Sequence, residues 1–179
     1  MALKPTIHKF RISLSDTNRD IYDAGQITIA QHPSETVDRM MARVLALCFH
    51  WQPELALTKG LSTTEEPDLW VKSLDQQIRL WVDIGEPSLD RIKKACRVAD
   101  RVDVFTFNSK SEVWWDQVKN KVHQYDANIY RFGHSGIEAL SQVVERSMDL
   151  SVMISDESVY VDSEKGSFEI SLENLHSHV

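Results

Sequence analysis

The sequence predicts an α/β (α+β) fold in which a mixed central β-sheet is flanked by helices. Period-two alternation marks both ends of the chain, as a long opening hairpin and a closing meander. Between them the pattern runs strand, helix, strand, helix, strand, which permits parallel neighbours joined by right-handed crossovers. The 179 residues suit one domain, 1–179, with room for a real core.

Residues 6–15 alternate Phe10, Ile12 and Leu14 against Lys9, Arg11 and Ser13, a half-buried strand. A turn over 16–20 leads to a second strand, 20–30, with Ile27 and Ile29 inward; Gly25 within it predicts a bulge. Pro33 suits the first position of a helix, where its missing N–H would have no partner. That helix runs to about His50. Val37, Met40, Met41, Val44, Leu45, Leu47 and Cys48 form its apolar stripe, with the methionines as core filling. Glu35 falls in its first turn, where an acid complements the helix dipole and pairs with Arg39 four residues on. A short strand over 55–58 and a loop over 60–65 follow.

Next comes a hairpin that gathers acids. Leu69 and Val71 alternate with Asp68, Trp70 and Lys72, and Ile78, Leu80, Val82 and Ile84 alternate with Arg79, Trp81 and Asp83. Pairing the arms around polar 73–77 brings Asp68 and Asp83 to the open end, on the face of the two tryptophans. Two such carboxylates repel unless a cation or a proton lies between them. A divalent ion held by one or two carboxylates meets that need; the alternative is that Asp68 belongs to a turn and Asp83 to a solvated strand face. Gly85, Glu86 and Pro87 end the hairpin, and Ser88 is the N-cap of a helix burying Leu89, Ile92, Ala95, Cys96 and Ala99. Lys93, Arg97 and Arg101 recur every four residues as a basic edge, read either as a phosphate contact or as a solvated face. From Ser88 to Arg101 there are five basic and two acidic residues, a local charge of +3.

Residues 102–107 read as an inner strand. Ser109 with Glu112 has the spacing of a capping box for the next helix. Its Trp114 and Trp115 are read as core packing in preference to base stacking. Strand 127–132, a helix marked by Ile137, Leu140, Val143 and Val144, and strands over 150–154, 158–161 and 168–172 complete the chain. The tail is expected to fray, with His176 and His178 as a weak metal signal.

The composition narrows the function classes. Apolar residues make up 42% and charged residues 26%, ordinary for a globular protein, but the net charge is −7. That excess of acid argues against constitutive non-specific binding to nucleic acid or a membrane surface. Cys48 and Cys96 have neither metal-ligand nor disulfide-framework spacing, so buried free thiols in a reducing cytoplasm are expected. No signal-peptide run and no stretch of transmembrane length appears. Gly-x-Ser-x-Gly, dinucleotide-binding and P-loop patterns are absent, which disfavours a Ser/His hydrolase.

A family resemblance rests on several stretches in order. They are Met1-Ala2-Leu3-Lys4-Pro5-Thr6-Ile7, His32-Pro33-Ser34-Glu35-Thr36 with Arg39-Met40-Met41, Glu65-Glu66-Pro67, Arg91-Ile92-Lys93-Lys94-Ala95-Cys96, and Phe105-Thr106-Phe107-Asn108-Ser109 before Trp114-Trp115. Together they resemble the bacterial YaeQ family over nearly the whole chain. The resemblance implies a restriction-endonuclease-like variant of the PD-(D/E)xK superfamily with added N- and C-terminal hairpin strands. In that superfamily a helix acid and two strand acids hold a divalent metal, and a lysine assists the attacking water. Pro67-Asp68 matches the PD element, Glu35 the helix acid and Asp83 the second strand acid. The lysine position is Gly85, so the pattern breaks there, and Lys93 or Lys94 of the following helix is the candidate migrated lysine.

Two functions follow as expectations. The first is a nuclease or related phosphodiesterase using Mg²⁺ or Mn²⁺ on Asp68 and Asp83, with Glu35 as an outer acid, Lys93 or Lys94 at the reacting phosphate, and Arg97 and Arg101 on flanking phosphates. Its nucleic-acid binding would be weak and salt-sensitive. The second is a non-catalytic nuclease-like protein acting through nucleic-acid or protein partners. Convergence of Asp68, Asp83 and Lys93 on one concave space separates the two.

Overall fold

The computed structural model describes residues 4–58 and 65–177. In chain order the elements are β1 (Thr6–Asp16), β2 (Ile21–Gln31), α1 (Val37–Phe49), β3 (Leu55–Leu57), β4 (Leu69–Lys72), β5 (Ile78–Ile84), α2 (Leu89–Val98), β6 (Ala99–Thr106), α3 (Ser111–Val122), β7 (Ala127–Phe132), α4 (His134–Ser141), β8 (Ser147–Ser155), β9 (Ser158–Ser163) and β10 (Gly166–His176). The strands form one mixed sheet in the order β2-β1-β8-β9-β10-β7-β6-β5-β4-β3. The pairs β1–β8, β5–β6 and β6–β7 are parallel, and the other neighbours are antiparallel. The mixed sheet with helices against it is therefore present. Apart from Glu65, the loop expected over 60–65 lies outside the described residues.

Side-chain alternation explains how the layers assemble. Phe10, Ile12 and Leu14 of β1, Val152 and Ile154 of β8, Val82 and Ile84 of β5, Phe105 of β6 and Phe132 of β7 all join one cluster with α1 and α4. Strands far apart in the sheet order thus meet the same two helices, so the sheet curves around them. The stripe of α1 is buried from Met40 to Cys48 without a break, as befits a helix enclosed by a sheet. On the opposite face of β5–β7, Ile92, Ala95, Trp114 and Val118 of α2 and α3 pack on Trp81, Val102, Val104 and Ile129. Strand β5 is covered on both faces, which is why its Trp81 and Asp83 are as buried as its aliphatic residues. Core packing accounts for Trp81 and Trp114; the Trp114 indole also donates to the Pro87 carbonyl at 2.9 Å.

Several local expectations need correction. Helix α1 begins after Pro33, not at it: the Glu35 N–H donates to His32 O at 2.8 Å and closes a turn. Thr36, extended at φ −72° and ψ 156°, is the N-cap, and its side chain accepts from the Arg39 N–H. Gly25 makes no bulge, since the β1–β2 register is continuous. A Cβ there would lie 3.1 Å from the Trp51 ring, so its bareness serves packing. Ser109 does not cap α3; the Asn108 carboxamide accepts from the Lys110 N–H and makes the turn itself, and the helix starts at Ser111. Arg101 is not on α2, because the helix stops at Val98 and the backbone turns extended at Ala99, carrying the chain directly into β6. The tail is ordered to the end of β10, where His176 pairs with Ile129, and His178 lies outside the described residues.

Helix α4 sits tightly on β10. A Cβ at Gly136 would come within 2.8 Å of Glu169 O and 2.9 Å of Ile170 Cγ1. Both neighbours belong to a strand paired on each side and have little room to yield. Gly136→Ala is expected to lower the unfolding free energy by about 1–3 kcal/mol, measured by urea denaturation.

Candidate functional site

The predicted acids are gathered where α1 begins and β5 ends. The Asp68 N–H donates to Val82 O at 2.9 Å, and Asp68 Oδ2 accepts from the Ile84 N–H at 2.8 Å. Asp68 is thereby laid along β5 beside Asp83, close enough for the two charges to repel. Glu35 approaches from the turn before α1. All three acids are buried. Ions this far from water need partners, since an unpaired buried carboxylate is very costly.

The partners are arginines. Arg39 Nη2 donates to Asp68 Oδ1 at 2.8 Å, Asp68 Oδ2 at 3.0 Å and Ile84 O at 3.1 Å, while its Nη1 donates to Glu35 Oε2 at 2.6 Å. Arg43, one turn further along α1, donates from Nε to the same Glu35 oxygen at 2.9 Å and also pairs with Oε1. Across the strand, Arg91 of α2 grips Asp83 through Nε at 2.9 Å and Nη2 at 3.0 Å, and holds Glu66 O at 2.9 Å. Three acids are thus matched by three guanidiniums, whose planar forks suit paired carboxylate oxygens. Burial works against the Arg39 charge, but Asp68 and Glu35 outweigh it and keep the guanidinium firmly protonated. For Asp68, burial leads and Asp83 adds to it; together they hold the carboxyl above its usual range despite Arg39 and the Ile84 N–H.

The lysines lie elsewhere. Lys93 and Lys94 are exposed on α2, as is Arg97. Arg101 belongs to a different cluster on β6, where its Nε and Nη2 donate to Asp103 at 2.9 Å each. Asp103 also receives the Asn128 amide at 2.8 Å and lies 2.6 Å from His50 Nε2 at the end of α1. Among the described residues, no group of three or more His, Cys, Asp or Glu side chains is arranged to hold a metal ion. The oxygens around Arg39 Nη2 are of the hard kind that Mg²⁺ or Mn²⁺ takes. The cation they hold is a guanidinium, and a metal at that point requires Arg39 to leave. Sequence reasoning pairs Glu35 with Arg39 but misses Arg43, Arg91 and the His50–Asp103 pair. The signal available was spacing: Arg39 and Arg43 follow Glu35 at i+4 and i+8, on one face of a helix.

Breaking the centre is expected to cost stability. Arg39→Ala leaves Asp68 buried with its neighbour Asp83 and should lower the unfolding free energy by about 3–5 kcal/mol, whereas exposed Lys93→Ala should stay within about 0.5 kcal/mol of wild type; urea denaturation reads both. A second expectation concerns pH. Burial works to raise the Asp103 carboxyl, but hydrogen bonds from His50 and Arg101 outweigh it and hold it below the usual carboxylate value. A depressed folded value stabilises above the unfolded one, about pH 4 for Asp, and that stability is lost as pH falls through the folded value. Unfolding midpoints measured from pH 5 to pH 2 should therefore fall more steeply for wild type than for Asp103→Asn.

Comparison with known proteins agrees with this fold. The family model described as YaeQ protein matches residues 1–172. The uncharacterised YaeQ proteins of Salmonella typhi and Escherichia coli K12 are 35% and 34% identical over 174 residues, each covering 96% of both chains. The crystal structure of a YaeQ protein from Xanthomonas axonopodis pv. citri superposes with a TM-score of 0.93 at 30% identity, over 97% of this chain and 99% of that one. A second, from Pseudomonas syringae, gives 0.92 at 34% identity over 97% of each. No helix among the described residues is long and apolar enough to cross a membrane. With sequence and structure agreeing over nearly the full length, the chain belongs to the bacterial YaeQ family.

Proposed function

We propose that this protein is a non-catalytic nuclease-like binding protein, built on a PD-(D/E)xK-type scaffold and acting in the cytoplasm on phosphate-bearing partners. The scaffold reading is supported by the succession α1, β3–β4–β5 antiparallel, α2, and β6 parallel to β5. The observation that carries the loss of catalysis is the position of Arg39. Its Nη2 is bonded to three oxygens of the acidic centre, so the charge that a metal would balance is already balanced from within. The absence of a lysine at Gly85 and the solvent exposure of Lys93 and Lys94 point the same way, since among the described residues the cations bonded to the three acids are guanidiniums. Of the two cysteines expected to be buried, Cys48 is: burial pushes its thiol up to about 12, which leaves it an inert core residue, whereas Cys96 is only half-buried.

A metal-dependent phosphodiesterase remains the second reading, favoured by one observation. Asp68, Asp83 and the Ile84 carbonyl present oxygens fit for Mg²⁺ or Mn²⁺ once Arg39 leaves Asp68 and Ile84 O and Arg91 loosens its grip on Asp83. Bound there, the ion would act as a Lewis acid and lower the pKa of a water; Asp68 and Asp83 would hold it and Glu35 would retain Arg39 and Arg43. Calorimetric Mn²⁺ titration, run beside a cleavage assay on single- and double-stranded DNA and RNA, decides between them. Non-catalytic binding predicts no specific heat of Mn²⁺ binding and no cleavage. Metal-dependent cleavage by wild type that is lost in Asp83→Ala would overturn it in favour of the enzyme.

A further inference from the structure

We propose that the groove between α2 and the start of β5 is a binding site for a nucleotide phosphate, either a free mononucleotide or the 5′-phosphorylated end of a strand. The groove encloses about 630 Å³, within the range of small-molecule sites. Its chemistry is divided. Ile78, Trp81 and Val98 supply an apolar side, and Val98 is 55% exposed there. Arg91, Lys94 and Arg97 supply positive charge along one and a half turns of helix. Neither Lys94 nor Arg97 forms an ion pair with a described residue, so both ammonium and guanidinium are available to a phosphate in a protein that is acidic overall. A flat apolar body carrying one anionic head matches this division, and Asp90 at the margin offers an acceptor to sugar hydroxyls or a base amine.

Trp81 gives the second observation. It lines the groove, and its indole N–H, shut off from solvent, meets no acceptor among the described residues. Leaving such a donor unpaired costs about 1–3 kcal/mol, a cost that a ligand oxygen or its bridging water would remove once the side chain over the indole moves aside. The Arg91 guanidinium stands 5.6 Å from the Trp81 ring while gripping Asp83. The side chain that covers the indole is thus the one that joins the groove to the acidic centre. A phosphate drawing Arg91 outward would uncover the ring and loosen the hold on Asp83.

The proposal rests on the phosphate-binding part of the function proposed above and is independent of whether the acids bind metal, so its test is done in EDTA. In ¹H–¹⁵N spectra of the full chain, the Trp81 indole peak is assigned by its loss in Trp81→Phe. AMP is expected to shift that peak and adenosine is not. The exposed double variant Lys94→Ala/Arg97→Ala should weaken AMP at least tenfold, about 1.4 kcal/mol. An oligonucleotide with a 5′-phosphate that outcompetes AMP while its 5′-hydroxyl counterpart does not assigns the site to strand ends; the reverse order assigns it to free nucleotides. An unmoved Trp81 peak with every probe, or affinity unchanged in the double variant, would overturn the site and leave the metal and cleavage measurements to judge the overall function on their own.

Discussion

The Arg39 guanidinium donates to Glu35, to both oxygens of Asp68 and to the Ile84 carbonyl. These four contacts join the turn before α1, the first residues of the central hairpin and the end of β5. The remaining geometry of the centre depends on them. Asp68 can lie buried beside Asp83 only because a positive charge stands over it, and Glu35 can precede a helix buried along its length only because Arg39 and Arg43 neutralise it from that helix. Arg91 does the same for Asp83 from the other face of the sheet. Buried ion pairs of this kind add little net stability compared with apolar packing, but they penalise every arrangement in which one partner is missing. The centre therefore fixes how α1, β4, β5 and α2 sit together.

Much of the fold was legible in the sequence, for a physical reason. Strands such as β1 and β8 have one face in the core and one in solvent, so Phe10, Ile12 and Leu14 alternate cleanly with Lys9, Arg11 and Ser13. The amphipathic faces of α1 and α2 are equally plain. Caps and turns were less legible, because each depends on a competition between neighbouring polar side chains. Thr36 prevailed over the Pro33 start, and Asn108 over Ser109. The end of α2 could not be read from charge spacing: Arg97 and Arg101 keep the i+4 interval, but the backbone changes from helix to strand between them.

The candidate site shows the same division. That Asp68 and Asp83 are neighbours was readable, since both stand at the open end of an alternating hairpin; the shared face expected for them is not what the cations find, since Arg39 reaches Asp68 from α1 and Arg91 reaches Asp83 from the other side of the sheet. What they meet was not readable. Period-two and period-3.6 patterns locate a residue on a face, yet they do not say which distant cation reaches it. Arg39 lies 29 positions from Asp68, and Arg91, though only 8 from Asp83, reaches it from a helix that the alternation of the strand does not place. The His50–Asp103 pair, separated by 53 positions, was invisible for the same reason. Such contacts are products of the sheet order and become visible only in three dimensions.

The sheet order also has a consequence in time. Strand β1 is paired on one side by β2, its immediate successor, and on the other by β8, with Lys9 opposite Ser147. During synthesis the first hairpin therefore emerges with its inner edge open, and its partner strand follows only after more than a hundred further residues. Contacts of such sequence separation slow folding, because chain ends must be brought together before any pairing is gained. Until β8 arrives, the edge of β1 presents unpaired N–H and C=O groups beside Phe10, Ile12 and Leu14, a template on which another nascent chain can add. The exposed charges of Lys9 and Arg11 on that strand are well placed to discourage such pairing while the chain waits for its own C-terminal half.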